Sequence, residues 1–360
     1  AEARKASALA GFEVVAPVTL NVIFREIQTF AVALDLYRGV PAIYTDYYGY
    51  DDRAHHHGPL SAEALRALRS IDACLRELDQ IRRQFHDRRA YDLFVFSDHG
   101  MSRCRPFEAL FQQTLGDFVR THVGEAVVDV QGGQAPWASM QDELLHSELQ
   151  AVEARVSPNS QRLLRLVRRA LRRGLPQDPE IQTDYDLARR SDVVVRVAGS
   201  LAHLYFNLTP AQMDVSEIAI LYPDLLSALR THSGFGLVLG REQGNAVCVT
   251  SHGVQRLDSP QLAATLPHLT DAAAALQQID RLVRFPHSGD LVLLGNWYAD
   301  GSVVGFEEHV ATHGGLGGPQ DYPFFITAPG VNWDLANVTN ATQLHDFFVH
   351  WYGDAAARAA

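Results

Sequence analysis

The sequence predicts an α/β fold, with a largely parallel central sheet, helices on both faces, and an α+β insertion or cap. Three observations carry this expectation. A strand-like run (40–50), an amphipathic helix and a second strand-like run (91–97) follow one another directly. An acidic residue stands at the end of each run, Asp51 and Asp98. The same alternation then returns over 285–360 after a less regular middle. Strand, crossover helix and strand imply parallel neighbours joined right-handedly, in a sheet covered on both sides. Ligands of such sheets gather beyond the carboxyl ends of the strands, which is where Asp51 and Asp98 are expected.

Each element has its own signal. Residues 22–38 read as a helix closed by Gly39, with Pro41 just beyond it. The run VPAIYTDYYGY (40–50) is rich in β-branched and aromatic residues and reads as a buried strand. Ser61 opens a long helix along which Leu65, Leu68, Ile71, Leu75, Leu78 and Ile81 recur at helical spacing. YDLFVFS (91–97) is a short, nearly all-apolar strand that runs directly into Asp98-His99-Gly100. Residues 145–174 read as a helix containing the arginine-rich stretch RLLRLVRRALRRG. Such a helix can meet a membrane or an acidic partner, but a solvated face on a packed helix is the simpler reading. SDVVVRVAG, LAHLYFNL, GFGLVLGRE and AVCVTSHGV suggest a run of strands, interrupted by a helix near 215–231. DLVLLGNW (290–297) and DYPFFITAPG (321–330) read as strands of the returning core, and 339–352 as a closing helix. The expected organisation is therefore a sheet core over 1–134, an insertion or cap over 135–284, and completion of the core over 285–360.

With 360 residues, 47% of them hydrophobic, the chain can bury a substantial core. Its net charge of −11 argues against binding a nucleic-acid polymer, which usually needs a basic face. A small phosphate-bearing substrate is compatible with that charge, because bound metal ions reverse the local field. Cys74, Cys104 and Cys248 form no CxxC pair and support neither a disulfide framework nor a thiolate zinc site. The longest apolar candidate, Val14 to Phe24, contains Pro17 and Asn21 and is too short to span a bilayer. Lys5 is the one lysine among the basic residues, a bacterial-like bias, and the compartment stays open between cytoplasmic and membrane-associated. The chain begins at Ala1 without a signal pattern and reads as processed or as part of a longer protein. An upstream segment of that protein could carry a membrane tether.

Three motifs carry chemistry. In Asp51-Asp52-Arg53-Ala54-His55-His56-His57-Gly58-Pro59, a carboxylate and an imidazole four residues apart can reach one ion if the loop curls. Mixed oxygen and nitrogen ligation suits zinc or a neighbouring first-row metal. Asp52 with His56 is the competing register, and a His triplet can also be plain loop surface. Ser97-Asp98-His99-Gly100-Met101 places two ligand types beside a glycine that lets the backbone turn tightly. Thr312-His313-Gly314-Gly315 sets a third histidine in a glycine-rich loop. Nearby, His309 reads as a residue behind the site or on the surface. Glu307 and Glu308 read as surface, although either could bond a ligating imidazole. His203 reads as half-buried and satisfied, and His252 as turn chemistry.

DxxxHxxGP, then SDHGM, then THGG in one α/β chain resembles the nucleotide pyrophosphatase/phosphodiesterase branch of the alkaline phosphatase superfamily. The resemblance covers about 40–105 and 288–330. It implies two divalent metal ions close together, zinc in the first place and manganese as an alternative. By motif, Asp51, His55 and His313 would hold one ion, and Asp98 and His99 the other. The HxxGP spacing selects Asp51 with His55 over Asp52 with His56. The implied reaction is in-line displacement on a small phosphate ester through a Ser or Thr nucleophile. A phosphatase, sulfatase or phosphomutase of the same fold is the alternative, as is an inactive metal- or ligand-binding module.

The pattern also departs from that family. Its nucleophile and a further Asp ligand belong upstream of Asp51, where Glu2, Glu13, Asp35 and Asp46 are among the acidic groups and Thr19 is the hydroxyl considered for the nucleophile. None fits the pattern. The sequence therefore predicts that purified 1–360 cleaves an aryl phosphodiester slowly or not at all with added zinc. Rapid, saturable turnover in that assay would refute this expectation.

Overall fold

A computed structural model describes residues 22, 24–131, 191–266, 268–329, 331, 333, 335 and 338–353. Helix α1 covers 24–38 and stops at Gly39, whose φ of 73° few other residues tolerate. The amides of Gly39 and Val40 fold back onto the carbonyls of Leu36 and Asp35, completing the cap. Helix α2 is Gly49–His57 and α3 is Ala62–Gln84, which Ser61 caps through its Oγ, 3.1 Å from the Ala64 amide. Next come β1 (Val95–Phe96), β2 (Ser102–Pro106), α4 (Phe107–Phe111), α5 (Leu115–His122) and β3 (Val128–Gln131). Thr19 and the arginine-rich stretch of 145–174 lie outside the described residues.

The chain continues with β4 (Val193–Ala198), β5 (Leu201–Phe206), α6 (Val215–Leu221), α7 (Pro223–Thr231), β6 (Phe235–Glu242), β7 (Asn245–Thr250) and β8 (Gly253–Arg256). Helices α8 (Pro260–Ala264) and α9 (Ala272–Val283) lead to β9 (Leu291–Gly295), β10 (Val303–Gly305) and β11 (Ala311–Thr312). A 3-10 turn (Gly318–Asp321), β12 (Phe325–Ile326), α10 (Ala341–Phe348) and a π turn (Val349–Gly353) complete it.

The large sheet is mostly antiparallel, which corrects the expectation of a parallel one. Its seven strands run in the order β3-β4-β5-β9-β6-β7-β8, and β3 with β4 is its one parallel pair. The strands read from 192–254 are present, and the turns between them set the sense of pairing. Ala198 pairs with Leu201 and Glu242 with Asn245, so each hairpin turns in two residues. Gln243 and Gly244 both have positive φ, 49° and 76°, the geometry that matches the twist of a tight hairpin. A turn that short cannot deliver a parallel strand, which needs a long crossover.

The expected first parallel unit does not form either. Residues 42–47 join no ladder, and Tyr44 is 78% exposed rather than buried. Side chains of α1 hold the segment instead. The Gln28 amide donates to Thr45 Oγ1 at 2.7 Å and to the Asp46 carbonyl, and the Thr29 hydroxyl lies 2.9 Å from that of Tyr47. The chain then coils into α2, so Asp51 stands on a helix and not beyond a strand end. Strand β1 is only two residues long and pairs antiparallel with β12.

Helices on both faces are as expected. Strand β9 lies at the centre of the large sheet with all of Leu291–Gly295 buried. Alternate side chains enter two cores. Leu291 and Leu293 join Phe107, Phe118, Leu204 and Leu225 on the side of α5 to α7. Val292 and Leu294 join Leu262, Leu276 and Ile279 under α8 and α9. Among the described residues, no helix is long and apolar enough to cross a membrane.

Polar groups fix the entry to β9. The Asp290 carboxylate, 5% exposed, accepts the amides of Phe206 at 2.8 Å and Met213 at 2.7 Å. The buried Arg241 guanidinium donates to the carbonyls of Val283 at 2.7 Å and Gly289 at 3.0 Å. Burial pushes the Asp290 carboxyl up, against the two amides and Arg241. Asp290→Asn would set an amide donor where one of these oxygens accepts. It is expected to cost about 2–3 kcal/mol. The urea midpoint should fall with an unchanged slope; an unchanged midpoint would show that these bonds are dispensable.

Candidate metal centre

A small second sheet brings the motifs together. In the order β10-β2-β11, β2 is parallel to β10 and antiparallel to β11, with Ser102 opposite Thr312. The residues just before β2 and just after β11 therefore leave the sheet side by side. They are Asp98-His99-Gly100-Met101 and His313-Gly314-Gly315. Helix α2 closes a third side, with the Val310 amide 2.9 Å from the His55 carbonyl. Ala54, Ala64, Met101 and Ala311 form a small buried cluster beneath. Gly100 is needed for close approach, because a Cβ there would stand 2.0 Å from the Pro319 carbonyl oxygen.

The helix places Asp51 and His55 one turn apart on one face. His55 Nε2 lies 3.3 Å from Asp51 Oδ2, and His313 Nε2 lies 3.7 Å from Asp51 Oδ1. The His99 and His313 rings stack with centroids 3.6 Å apart. Asp51, His99 and His313 each offer a ligand atom, and these atoms all lie within 4.8 Å of one another. His55 Nδ1 sits 2.8 Å from the Ala311 carbonyl, and His99 Nδ1 2.8 Å from the Gly100 carbonyl. A carbonyl can only accept, so both Nδ1 atoms carry the proton and direct Nε2 outward. His55 Nε2 then faces a carboxylate, an arrangement that needs a proton or a cation between them. Asp51 Oδ1 is buried and has no hydrogen-bond partner among the described residues. A divalent cation fits this donor set, because it would satisfy that oxygen and the Nε2 lone pairs together.

The charges are coupled. Burial raises the Asp51 carboxyl, but the imidazole of His55, then those of His313 and His99, outweigh it and hold the group low. Burial lowers the His55 imidazole, but Asp51 outweighs it and the net shift is upward. Burial, then His99, bring His313 down to about 4, so at neutral pH it is the uncharged form that can ligate a metal. Asp46, passed over in the sequence, is pushed up by burial and then by the charge of Asp98.

The other candidates are placed differently. Asp98 is 79% exposed, with Oδ1 accepting the His99 amide at 3.0 Å and Oδ2 3.5 Å from His99 Nε2. It stands at the rim, outside the close set of Asp51, His99 and His313. The competing pair, Asp52 and His56, is 3.9 Å apart with His56 half exposed. His309 packs behind His55, ring centroids 4.5 Å apart. Glu307 corrects the sequence reading, since it is only 11% exposed instead of lying at the surface. The tip of the β4–β5 hairpin covers it, and its carboxylate accepts the Gly199 amide. The acidic-basic run Glu307-Glu308-His309 gives no local sign of this, because the covering residue is 108 positions away. Glu308 is exposed as read. His203 Nδ1 accepts the Gly289 amide at 2.9 Å, the half-buried, satisfied state expected of it. His252 lies in the β7–β8 turn.

A family model for type I phosphodiesterase / nucleotide pyrophosphatase matches residues 23–204, just over half of the chain. The match takes in Asp51, His55, Asp98 and His99 and stops before His313. No solved structure matches the chain.

The metal-free protein should show two opposed titrations. With His313 at about 4 against an ordinary 6.5, the unfolded chain takes up a proton between these values before the folded one does. Its contribution is therefore full above pH 6.5 and lost as pH falls toward 4. His55 is raised, so its contribution is full below 6.5 and lost as pH rises through its folded value. Imidazole proton resonances followed against pH should place His313 near 4 and His55 above 6.5. A His313 transition at or above its ordinary value would contradict the geometry.

Proposed function

The chain belongs to the type I phosphodiesterase / nucleotide pyrophosphatase family, and on that basis we propose that it is a metal-dependent phosphoric-ester hydrolase for diesters or pyrophosphates. The observation that carries this reading is the buried Asp51 Oδ1, without a hydrogen-bond partner among the described residues and within reach of the His99 and His313 imidazoles. Carboxylate oxygen with imidazole nitrogen suits zinc, with manganese as the alternative. Asp51, His55 and His313 would hold one ion, and His99 with Asp98 a second. Bound there, the two ions would neutralise charge on the phosphoryl oxygens and lower the pKa of an attacking hydroxyl.

The chain's own residues prepare for this. The carbonyls of Ala311 and Gly100 fix the tautomers of His55 and His99, which saves their ordering when a ligand arrives. Burial keeps His313 neutral. Asp51 supplies the negative charge that draws a cation into a site otherwise lined by imidazoles. The resemblance implies a Ser or Thr nucleophile as well, and none of the residues above supplies a hydroxyl.

Zinc titration of purified 1–360 tests the reading. Uptake is expected, with affinity falling at least about tenfold in Asp51→Asn and His313→Ala. Any zinc-dependent turnover should favour an aryl phosphodiester over the monoester and disappear in Asp51→Asn. A wild-type chain that takes up neither zinc nor manganese, or one indifferent to both substitutions, would overturn it.

A further inference from the structure

We propose that Gln320 is a positioning residue that sets the separation of His99 and His313 by clamping together the two glycine loops that carry them. Gln320 lies in the 3-10 turn and is 4% exposed. Its main-chain carbonyl accepts the Gly100 amide at 2.9 Å, immediately after His99. Its side-chain Oε1 accepts the Gly315 amide at 3.1 Å, two residues after His313. One residue thus holds both loops, one through its backbone and the other through its side chain.

The clamp is itself held on its remaining sides. Gln320 Nε2 donates to the Gly317 carbonyl at 2.9 Å, which fixes which end of the amide faces Gly315. The Gln320 amide donates to the fully buried Ser102 Oγ at 3.1 Å. Ser102 is the β2 residue whose pairing with Thr312 brings the loops side by side. All four polar groups of Gln320 therefore take part in these bonds. The absence of a side chain at Gly100 lets the turn approach this closely, with the Pro319 carbonyl in the space a Cβ would need. The stacked rings, 3.6 Å apart, are the product of this bracing.

The inference rests on the reading of His99 and His313 as ligands, and its tests separate the two. Gln320→Met keeps the side-chain length and removes both amide bonds, freeing the His313 loop while leaving the Gly100 bond. Zinc affinity of the folded variant is expected to fall about 10–100-fold, the range for groups that orient a ligand. Leu225→Ala, which truncates the core under α7 in a cluster that contains no residue of either loop, controls for simple loss of stability and should bind zinc as the wild type does. Equal affinity in Gln320→Met and wild type, or an equal loss in Leu225→Ala, would overturn the proposal.

Hydrogen exchange in the wild type needs no variant to fold. The Gly100 and Gly315 amides should be protected in the zinc-free protein and slow further when zinc is added. Exchange of Gly315 at the solvent rate would overturn the clamp. Protected amides with no zinc uptake would instead reject the proposed function and leave the clamp standing.

Discussion

One oxygen constrains the rest. Asp51 Oδ1 is buried without a hydrogen-bond partner among the described residues, on a carboxylate that its neighbours keep ionised. A buried charge left this way is costly unless a counter-charge reaches it. The surroundings answer that cost with imidazoles whose second nitrogens are tied to carbonyls, as His55 is to Ala311 and His99 to Gly100. Such rings turn Nε2, and not Nδ1, toward the site, where it can share a proton with the carboxylate or meet a cation. The arrangement is suited to a cation, in a chain that belongs to the type I phosphodiesterase / nucleotide pyrophosphatase family.

The site is built by the smaller sheet more than by the larger one. Seven strands supply the cores and buried apolar area, yet the histidine loops spring from β2 and β11. Short strands serve here because the pairing has to be specific, not extensive. A slip of one residue between Ser102 and Thr312 would turn each side chain to the opposite face and separate His99 from His313. The buried polar side chains of Ser102 and Gln320 flank that register, and each is committed to a bond that a slip would break. The hairpin tip at Gly199 and Ser200 braces the same loops from the other side. A Cβ on Gly199 would meet Thr312 Oγ1 and the His313 carbonyl, and the Ser200 amide donates to that carbonyl.

The departures from the expected fold have one origin. Local patterns state that a segment is extended, but not which neighbour it pairs with or in which direction. The run 40–50 has strand composition, yet residues 42–47 are held by Gln28 and Thr29 of α1, and the last residues coil into α2. The apolar run over 91–97 yields only Val95 and Phe96 as a ladder. The four strand runs of 191–254 were legible as strands, while two-residue turns made them antiparallel. Glu307 carries no local mark of burial, and it is covered by a hairpin tip more than a hundred residues earlier in the chain.

By itself the sequence determined the chemical parts. The stop at Gly39, the cap at Ser61, the apolar β9 and the three histidine motifs depend on residue type and short spacing, which act within a turn or two of backbone. The HxxGP spacing of the family resemblance favoured Asp51 with His55, and their separation of four residues makes one turn of α2. The tertiary structure alone decided which parts meet. It brought ligand atoms of Asp51, His99 and His313 within 4.8 Å of one another with His55 against Asp51, left Asp98 at the rim, covered most of Glu307 and buried Gln320. Those outcomes depend on contacts between residues as distant in sequence as His55 and Ala311, 256 positions apart, and no short-range pattern in the chain encodes them.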